Sequence, residues 1–191
     1  MKILVTESQY KKILREEKEQ KIFRVPGLEF FHEDRWEAWK ILQKVLEARG
    51  NPPYTIGGDL NLSDTSIESL GNLTSVEGDL FLYNTSIEFL GDLTSVGGDL
   101  YLHDTPIKSL GNLQSVGGDL DLQNTSIKSL ENLTSVGGYL DLLYGTPIES
   151  LGNLESVGGD LYLYDTPLSE KYTEEEIRQM VNVGGEIHLK L

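Results

Sequence analysis

Residues 86–105 read SIEFLGDLTSVGGDLYLHDT, and they are one of five near-copies that follow one another over residues 66–166. The fourth copy carries one extra residue near positions 143–145. A half copy precedes the five at residues 56–65, and a degenerate copy with a longer middle follows at residues 167–191. Self-similarity at a short fixed period is typical of a solenoid, in which each copy forms one coil that stacks on the next.

The spacing of apolar residues changes within each copy. The first copy has them at Ile67, Leu70, Leu73, Val76, Leu80 and Leu82. Intervals of three predict a tight helical or 3₁₀-like arc, whereas the alternation of Leu80 and Leu82 predicts a short strand with one buried face. One such coil buries too little apolar surface to fold alone. We therefore expect neighbouring coils to stack with their strands hydrogen-bonded in parallel.

Glycine and threonine mark the two ends of each predicted strand. A glycine stands two residues before the first strand leucine in every copy, as at Gly78 and Gly98. We expect this glycine to have either a positive φ or a position where the adjacent coil leaves no space for a Cβ. A threonine follows each strand, usually after Asn or Asp, as at Thr85 and Thr105. We interpret these residues as hydroxyl and Asx turns that bind backbone groups where the chain leaves the sheet.

The residues between the strand leucines predict an exposed face with three columns of side chains. If Leu80 and Leu82 point inward, then Asp79, Phe81 and Tyr83 point outward, and the same positions in every copy line up along the sheet. The second and third columns vary on a constant frame and are rich in Phe, Tyr and His, which are favoured at interfaces. We therefore expect a binding site formed by Phe81, Tyr83, Tyr101, His103, Asp121, Tyr139, Asp141, Tyr162 and Tyr164.

This face has alternative interpretations. Aromatic residues also favour exposed strands simply through cross-strand pairing. Seven strands and five residues per strand give an area of about 490 Å², whereas a standard protein interface needs about 800 Å² per partner. Either the flanks or the N-terminal helices contribute, or binding is weak, or the ligand is small, such as a glycan stacked on Tyr101, Tyr162 and Tyr164.

The first column is acidic in almost every copy, as at Asp59, Asp79 and Asp99. Like charges at the spacing of adjacent strands repel, and a bound calcium ion would relieve that repulsion. The simpler interpretation is that these carboxylates accept hydrogen bonds from turn amides beside the glycines. We therefore predict no metal site and no cofactor.

Composition and charge restrict the classes of function. The chain has no cysteine, and its three histidines, His32, His103 and His188, lie far apart, so no catalytic set is evident and we expect no enzyme activity. Residues 1–50 carry a net charge of +2 and residues 51–191 a net charge of −17. So acidic a surface repels nucleic acid and attracts basic protein partners. Neither a membrane span nor an export signal is visible, so we expect a cytoplasmic location.

The ends of the chain predict caps on the solenoid. Residues 1–54 are expected to form an α-helical N-terminal cap, with one helix over residues 6–19 and another over residues 33–49. The apolar face of the second helix, which includes Trp39 and Leu42, either seals the first coil or binds a partner.

Residues 55–191 are expected to form the solenoid together with its C-terminal cap. Thr173 and Glu176 form a predicted capping box for a helix that extends to about Val181. A final strand over residues 186–191 follows. The oligomeric state is not evident from the sequence.

The run Leu80-x-Leu82-x-x-Thr85-x-Ile87 resembles the leucine-rich-repeat consensus L-x-L-x-x-N-x-L, with threonine in place of the asparagine. The unit Leu-x-Ser-Val-Gly-Gly-Asp-Leu-x-Leu is similar to short repeats of bacterial and bacteriophage proteins, and the opening MKILVTESQYKKILREE is similar to N-terminal segments of tailed-phage proteins. This resemblance implies an α/β solenoid, a right-handed leucine-rich-repeat-like coil with a parallel β-sheet, a helical N-terminal cap and a short helix plus strand as the C-terminal cap.

Families of this type act mostly as protein-binding scaffolds. The resemblance and the variable aromatic columns together predict a non-enzymatic protein-interaction module that binds a partner on the exposed face of its parallel sheet. The alternative is a glycan-binding or virion-associated structural protein. For a viral protein, the expected location is the cytoplasm of the bacterial host cell.

Overall fold

The computed structural model describes residues 22–28 and 34–190, which form the predicted solenoid of stacked coils. The helix predicted over residues 6–19 lies outside the described residues. Among the helices of the described part, none is long and apolar enough to cross a membrane.

Two parallel sheets run along the stack, and each repeat contributes a strand to each of them. The first sheet contains, in spatial order, β1 (Phe23–Val25), β2 (Tyr54–Ile56), β4 (Leu73–Val76), β6 (Ser95–Val96), β8 (Ser115–Val116), β10 (Ser135–Val136), β12 (Ser156–Val157) and β14 (Asn182–Val183). The second sheet contains β3 (Leu60–Asn61), β5 (Leu80–Phe81), β7 (Leu100–Tyr101), β9 (Leu120–Asp121), β11 (Leu140–Asp141), β13 (Leu161–Tyr162) and β15 (Ile187–His188). Equivalent positions of successive copies pair in register, so Leu80 lies opposite Leu100 and Phe81 opposite Tyr101.

The second sheet is the predicted one, but the helical arc predicted for the rest of the coil is wrong. That part of each repeat contains the short Ser-Val strands of the first sheet. Its backbone amides bond to the neighbouring coil, as in Thr94 N to Thr74 O at 2.8 Å and Gly97 N to Val76 O at 2.8 Å. Only single turns remain within a coil, such as Leu93 N to Leu90 O. The bonds between coils therefore replace the helical pattern.

The core is a stack of identical apolar layers. Each full coil turns Ile, Val and four Leu positions toward the centre, and side chains such as Leu80, Leu82 and Ile87 have no exposed surface. The close approach of the coils also explains why glycine recurs at the same positions of the repeat. A Cβ on Gly98 would lie 2.0 Å from Asp79 Oδ1, and one on Gly97 would lie 2.1 Å from Glu77 O. Neither glycine has a positive φ, so the lack of space is the constraint.

The predicted threonine turns are confirmed. Thr85 Oγ1 donates to the Leu82 carbonyl at 2.7 Å, and the equivalent bond recurs from Thr105 to Leu102. The residue before each threonine has a left-handed backbone, as at Asn84 with φ 53°. Asn and Asp tolerate this conformation better than most other residues, which explains their recurrence there.

The N-terminal cap contains a helix and a strand. Helix α1 (Arg35–Ala48) begins after Asp34, which accepts hydrogen bonds from two backbone amides of the first turn. Its buried residues Trp39 and Leu42 belong to the core, which confirms that this helix seals the first coil. The strand β1, which the sequence did not predict, pairs with β2 and extends the first sheet. The cap is thus hydrogen-bonded to the solenoid as well as packed against it.

The C-terminal cap has two short helices, α2 (Pro167–Lys171) and α3 (Glu174–Met180). The predicted capping box is present in α3, where Thr173 and Glu176 bond each other's backbone amides. The chain then adds β14 to the first sheet and β15 to the second sheet. These last strands lie in register with the repeats before them.

Candidate functional site

The second sheet carries the predicted face, and burial alternates as expected along all its strands except β9 and β11. Leu100 and Leu102 have no exposed surface, whereas Tyr101 and His103 are partly exposed. We call the outer surface of this sheet the aromatic face. Its three columns are residues 59, 79, 99, 119, 139, 160 and 186, then 61, 81, 101, 121, 141, 162 and 188, then 63, 83, 103, 123, 143, 164 and 190.

Four side chains form a first aromatic cluster on strands β5 and β7. The rings of Phe81 and Tyr101 stack with centroids 5.2 Å apart and planes 7° from parallel. The rings of Tyr83 and His103 stack beside them at 4.8 Å and 6°. Because equivalent positions meet along the sheet, any two aromatic residues in neighbouring copies of one column come into stacking contact. The register of the repeat therefore brings these four predicted residues together.

A second aromatic cluster lies further along the face and contains Tyr139, Tyr162, Tyr164 and His188. Tyr162 is at its centre: it stacks on His188 at 4.5 Å and 5°, meets Tyr139 edge-on at 6.3 Å, and lies 6.5 Å from Tyr164. His188 was not among the predicted binding residues, although the column register places it beside Tyr162. The middle of the last copy is longer than in the other copies, so His188 does not follow Tyr162 at the regular interval of the repeat.

Asp121 and Asp141 lie between the two clusters and are buried, not exposed as predicted. Each retains only 8% of its surface, because each carboxylate folds onto the backbone two residues ahead. Asp121 Oδ1 accepts from Gln123 N and Asp141 Oδ1 from Leu143 N, both at 3.0 Å. We call these two aspartates the acidic notch, because they are short side chains between two raised groups of rings.

The other oxygens of the acidic notch have polar neighbours on the same face. Asp141 Oδ2 accepts a hydrogen bond of 2.6 Å from the Gln123 side chain. Asp121 Oδ2 lies 3.0 Å from His103 Nδ1, but the two atoms lack hydrogen-bond geometry and the buried Nδ1 has no other partner. The Asp121–His103 contact is therefore an ion pair only when the imidazole is protonated. Within residues 22–28 and 34–190, no Lys or Arg forms an ion pair with either aspartate.

The aspartates of the first column form a ladder, as the simpler interpretation of this column predicted. In each step Oδ1 accepts the backbone amide of the equivalent residue in the next coil, as in Asp79 to Asp99 N and Asp99 to Asp119 N, both at 2.8 Å. Tyr139 interrupts the ladder, because its side chain offers no acceptor to the Asp160 amide. This copy thus lacks one bond between coils and has an aromatic ring on the face instead.

Tyrosine hydroxyls on the face bond to the second oxygens of these aspartates. Tyr101 donates to Asp99 Oδ2 at 3.0 Å and Tyr162 to Asp160 Oδ2 at 3.2 Å. Loss of hydration raises the pKa of both phenols, and the adjacent carboxylates raise it further. Burial likewise raises the pKa of the Asp141 carboxyl, and the charge of Asp121 adds to the effect. The phenols therefore remain protonated donors at neutral pH.

The first sheet has a feature that the sequence did not predict. An open groove of about 690 Å³ runs along its outer side and is lined by the repeated Ser-Val-Gly segments, from Ser75 to Gly184. Its glycines are explained by the close stacking of the coils. Among residues 22–28 and 34–190, no three His, Cys, Asp or Glu side chains are grouped so as to hold a metal ion.

The comparisons with known proteins add no family assignment. The sequence matches no protein-family model, and no similar chain was found among curated proteins or among solved structures.

Proposed function

We propose that this protein is a non-enzymatic protein-interaction module that binds a partner on the aromatic face. The observation that carries the proposal is the concentration of rings there. The chain has five phenylalanines and nine tyrosines, and six of these fourteen residues are on this one face. They are Phe81, Tyr83, Tyr101, Tyr139, Tyr162 and Tyr164.

Stacking alone does not account for this arrangement. Tyr139 takes the place of an aspartate that would continue the ladder, so the fold loses a hydrogen bond where the face gains a ring. Asp121 and Asp141 lie directly opposite each other on adjacent strands, which is unfavourable for like charges. Both departures from the repeat pattern are located at the centre of the same face. Features that oppose folding and cluster on one surface support a binding role.

The rings are also preorganised for contact. Because stacked neighbours and hydroxyl bonds already fix Tyr101 and Tyr162, little side-chain entropy is lost when a partner binds. Partly exposed tyrosines supply a large contact area together with a polar hydroxyl.

The size of the face fits a segment better than a globular surface. Seven strands about 4.8 Å apart span about 29 Å, and an extended peptide of about nine residues has the same length. Helix α1 bounds this face at its first strand, where Arg35 donates to the carbonyl of the buried Ser63. We therefore propose an extended segment of a partner protein as the ligand.

The type of protein, its source and its location in the cell are part of the same proposal. We propose that the chain is a leucine-rich-repeat-like protein of bacterial or bacteriophage type that acts in the cytoplasm of a bacterial cell. The similarity of its repeat unit to the short repeats of such proteins supports this assignment.

A display library of random twelve-residue peptides tests the proposal. The library is sorted against the full chain, and the affinity of each selected peptide is measured by fluorescence anisotropy. Replacing Tyr101→Ala and Tyr162→Ala together should lower the affinity at least tenfold, because it removes one tyrosine ring from each cluster. Circular dichroism checks that the double variant keeps its fold.

Phe89→Ser is the matched control variant. Phe89 is the most exposed phenylalanine of the described residues, at 55%, and serine already occupies this position in other copies, as at Ser69 and Ser109. It lies outside the aromatic face, so its replacement should leave the affinity unchanged. Peptides that bind the Tyr101→Ala/Tyr162→Ala variant as well as the unchanged protein, or that depend on Phe89, would refute the proposed site.

A further inference from the structure

The aromatic face has a strong excess of negative charge. Its three columns contain eight carboxylates and a single lysine, Lys190, at the far end. The carboxylates are Asp59, Asp79, Asp99, Asp119, Asp121, Asp141, Asp160 and Glu186. Most of the first column is held in the ladder of backbone bonds. Asp121 and Asp141 are outside that ladder and lie in the second column, where the other copies have rings or amides.

The acidic notch holds two carboxylates close together, and no Lys or Arg of the described residues forms an ion pair with either of them. The notch aspartates are in register on adjacent strands, about 4.8 Å apart. Each carboxylate has about four acceptor sites, and the bonds from Gln123 and Leu143 use only some of them. The His103 imidazole is the one titratable cation in contact with the notch among the described residues.

Aromatic rings form the two ends of the notch. Phe81 covers one face of the Tyr101 ring. On the opposite side, the neighbour of Tyr101 in the column is Asp121, which has no ring, and the second face of Tyr101 therefore borders the notch. At the other end Tyr162 is covered by His188 and borders Asp141, with Tyr139 edge-on beside it. The notch thus has a floor of two carboxylates and a tyrosine at either end, and the Tyr139 side chain borders it, because it interacts with Tyr101 as well as with Tyr162.

We propose that the acidic notch receives an arginine side chain of the partner segment, with its guanidinium over Asp121 and Asp141 in the gap between the rings of Tyr101 and Tyr162. This inference rests on the proposed function and names the chemistry of its partner.

Guanidinium fits this combination better than ammonium does. It is planar, presents five donors in a fixed fork that matches carboxylates, and stacks on aromatic faces. An ammonium group is a strongly hydrated point charge that does not offer a flat surface to a ring. The tyrosine hydroxyls are already engaged with Asp99 and Asp160, so the faces of the rings, not their polar ends, are available to the guanidinium.

Neutralising the two aspartates of the notch tests the inference. Asp121→Asn and Asp141→Asn together keep the shape of the notch and an acceptor for the backbone amides of Gln123 and Leu143, and they remove both charges. The matched control is Asp92→Asn with Glu155→Gln, which removes two charges from exposed positions outside the aromatic face. Other copies already have Asn72 and Gln114 at the equivalent positions of Asp92 and Glu155.

Peptides selected from the random twelve-residue library should be enriched in arginine. Their affinity should fall at least tenfold for the Asp121→Asn/Asp141→Asn variant and less than twofold for the control variant. Synthesis of a selected peptide with citrulline in place of arginine should also lower its affinity at least tenfold, because citrulline keeps the shape and loses the charge. Melting temperatures of all variants check that the folds are intact.

The outcomes separate this inference from the proposed function. Peptides that require Tyr101 and Tyr162 but show no arginine enrichment, or that bind equally well with lysine in place of arginine, would overturn the inference and leave the proposed function standing. A library that yields no peptide dependent on the aromatic face would overturn both.

Discussion

Replacing one repeat glycine by alanine tests the stacking of the coils. We predict that Gly98→Ala destabilises the fold, whereas Gly58→Ala at the equivalent position of the first coil does not. The two glycines share the same place in the repeat, and neither has a positive φ. They differ in what lies on the preceding side: a full coil behind Gly98, and the N-terminal cap behind Gly58.

The magnitude follows from the contacts that a Cβ would make. On Gly98 it would lie 2.0 Å from Asp79 Oδ1 and 3.0 Å from both Asp79 N and Gly78 C. The Asp79 carboxylate must move and give up its 2.8 Å bond to Asp99 N, and an amide left without a partner costs about 1 to 3 kcal/mol. The backbone contacts remain after that movement, and overpacking adds about 1 to 3 kcal/mol. We therefore expect a loss of more than about 2 kcal/mol.

On Gly58 the nearest atom to a Cβ is Pro26 O, at 3.7 Å, which is ordinary van der Waals contact. Alanine there restricts the unfolded chain and should stabilise the fold by about 0.4 to 1 kcal/mol. Equilibrium urea unfolding, followed by circular dichroism, gives the free energy of unfolding of both variants. Equal free energies for the two variants would refute the interpretation that coil stacking, not the backbone conformation, dictates glycine.

Three further predictions concern single side chains. Burial raises the pKa of Asp141 above its ordinary value of 3.8, so the folded state holds this proton more tightly and loses stability as the pH rises from 3.8 through the raised pKa. Asp141→Asn should therefore gain stability relative to wild type over that pH range. Melting temperatures from pH 3 to 8 would show the gain, and parallel curves for the two proteins would contradict it. Glu131 has φ 52° where other copies have glycine, so the Glu131→Gly variant should be more stable than the Glu131→Ala variant by about 1 to 2 kcal/mol in urea unfolding. Both variants lose the bonds to Ser109 and Gly111, so the comparison isolates the backbone strain. Equal free energies of unfolding would remove the strain argument. Thr85→Val should cost about 0.5 to 1.5 kcal/mol in the same assay through loss of the bond to Leu82 O, and an unchanged value would remove the role of the threonine turn.

The sequence predicts the stacked coils because a fixed period makes each position meet its own copy. Leu80 and Leu100 therefore had to pair, and so did Phe81 and Tyr101. The caps were accessible through local signals, since capping at Thr173 and the apolar face of α1 depend only on neighbouring residues. The right-handedness of the coil remains a prediction, as do the binding role of the face and the absence of catalysis.

Other features depend on contacts that no local pattern reveals. Most Ser-Val strands of the first sheet, such as β6, are two residues long, too short for an alternation to be visible, and they exist because of bonds between coils. The burial of Asp121 and Asp141 depends on the backbone amides onto which they fold and on the rings at either end. The strand Phe23–Val25 has no repeat to mark it and forms by pairing with β2.

The most direct test of the account is an NMR titration of the full chain, with labelled tyrosine rings, by a peptide selected from the library. The account predicts that the ring signals of Tyr101 and Tyr162 shift on addition of the peptide. Those of Tyr54, buried in the core, and Tyr172, packed in the C-terminal cap, should stay in place. Shifts at Tyr172 with unchanged signals at Tyr101 and Tyr162 would contradict the claim that the aromatic face is the binding surface.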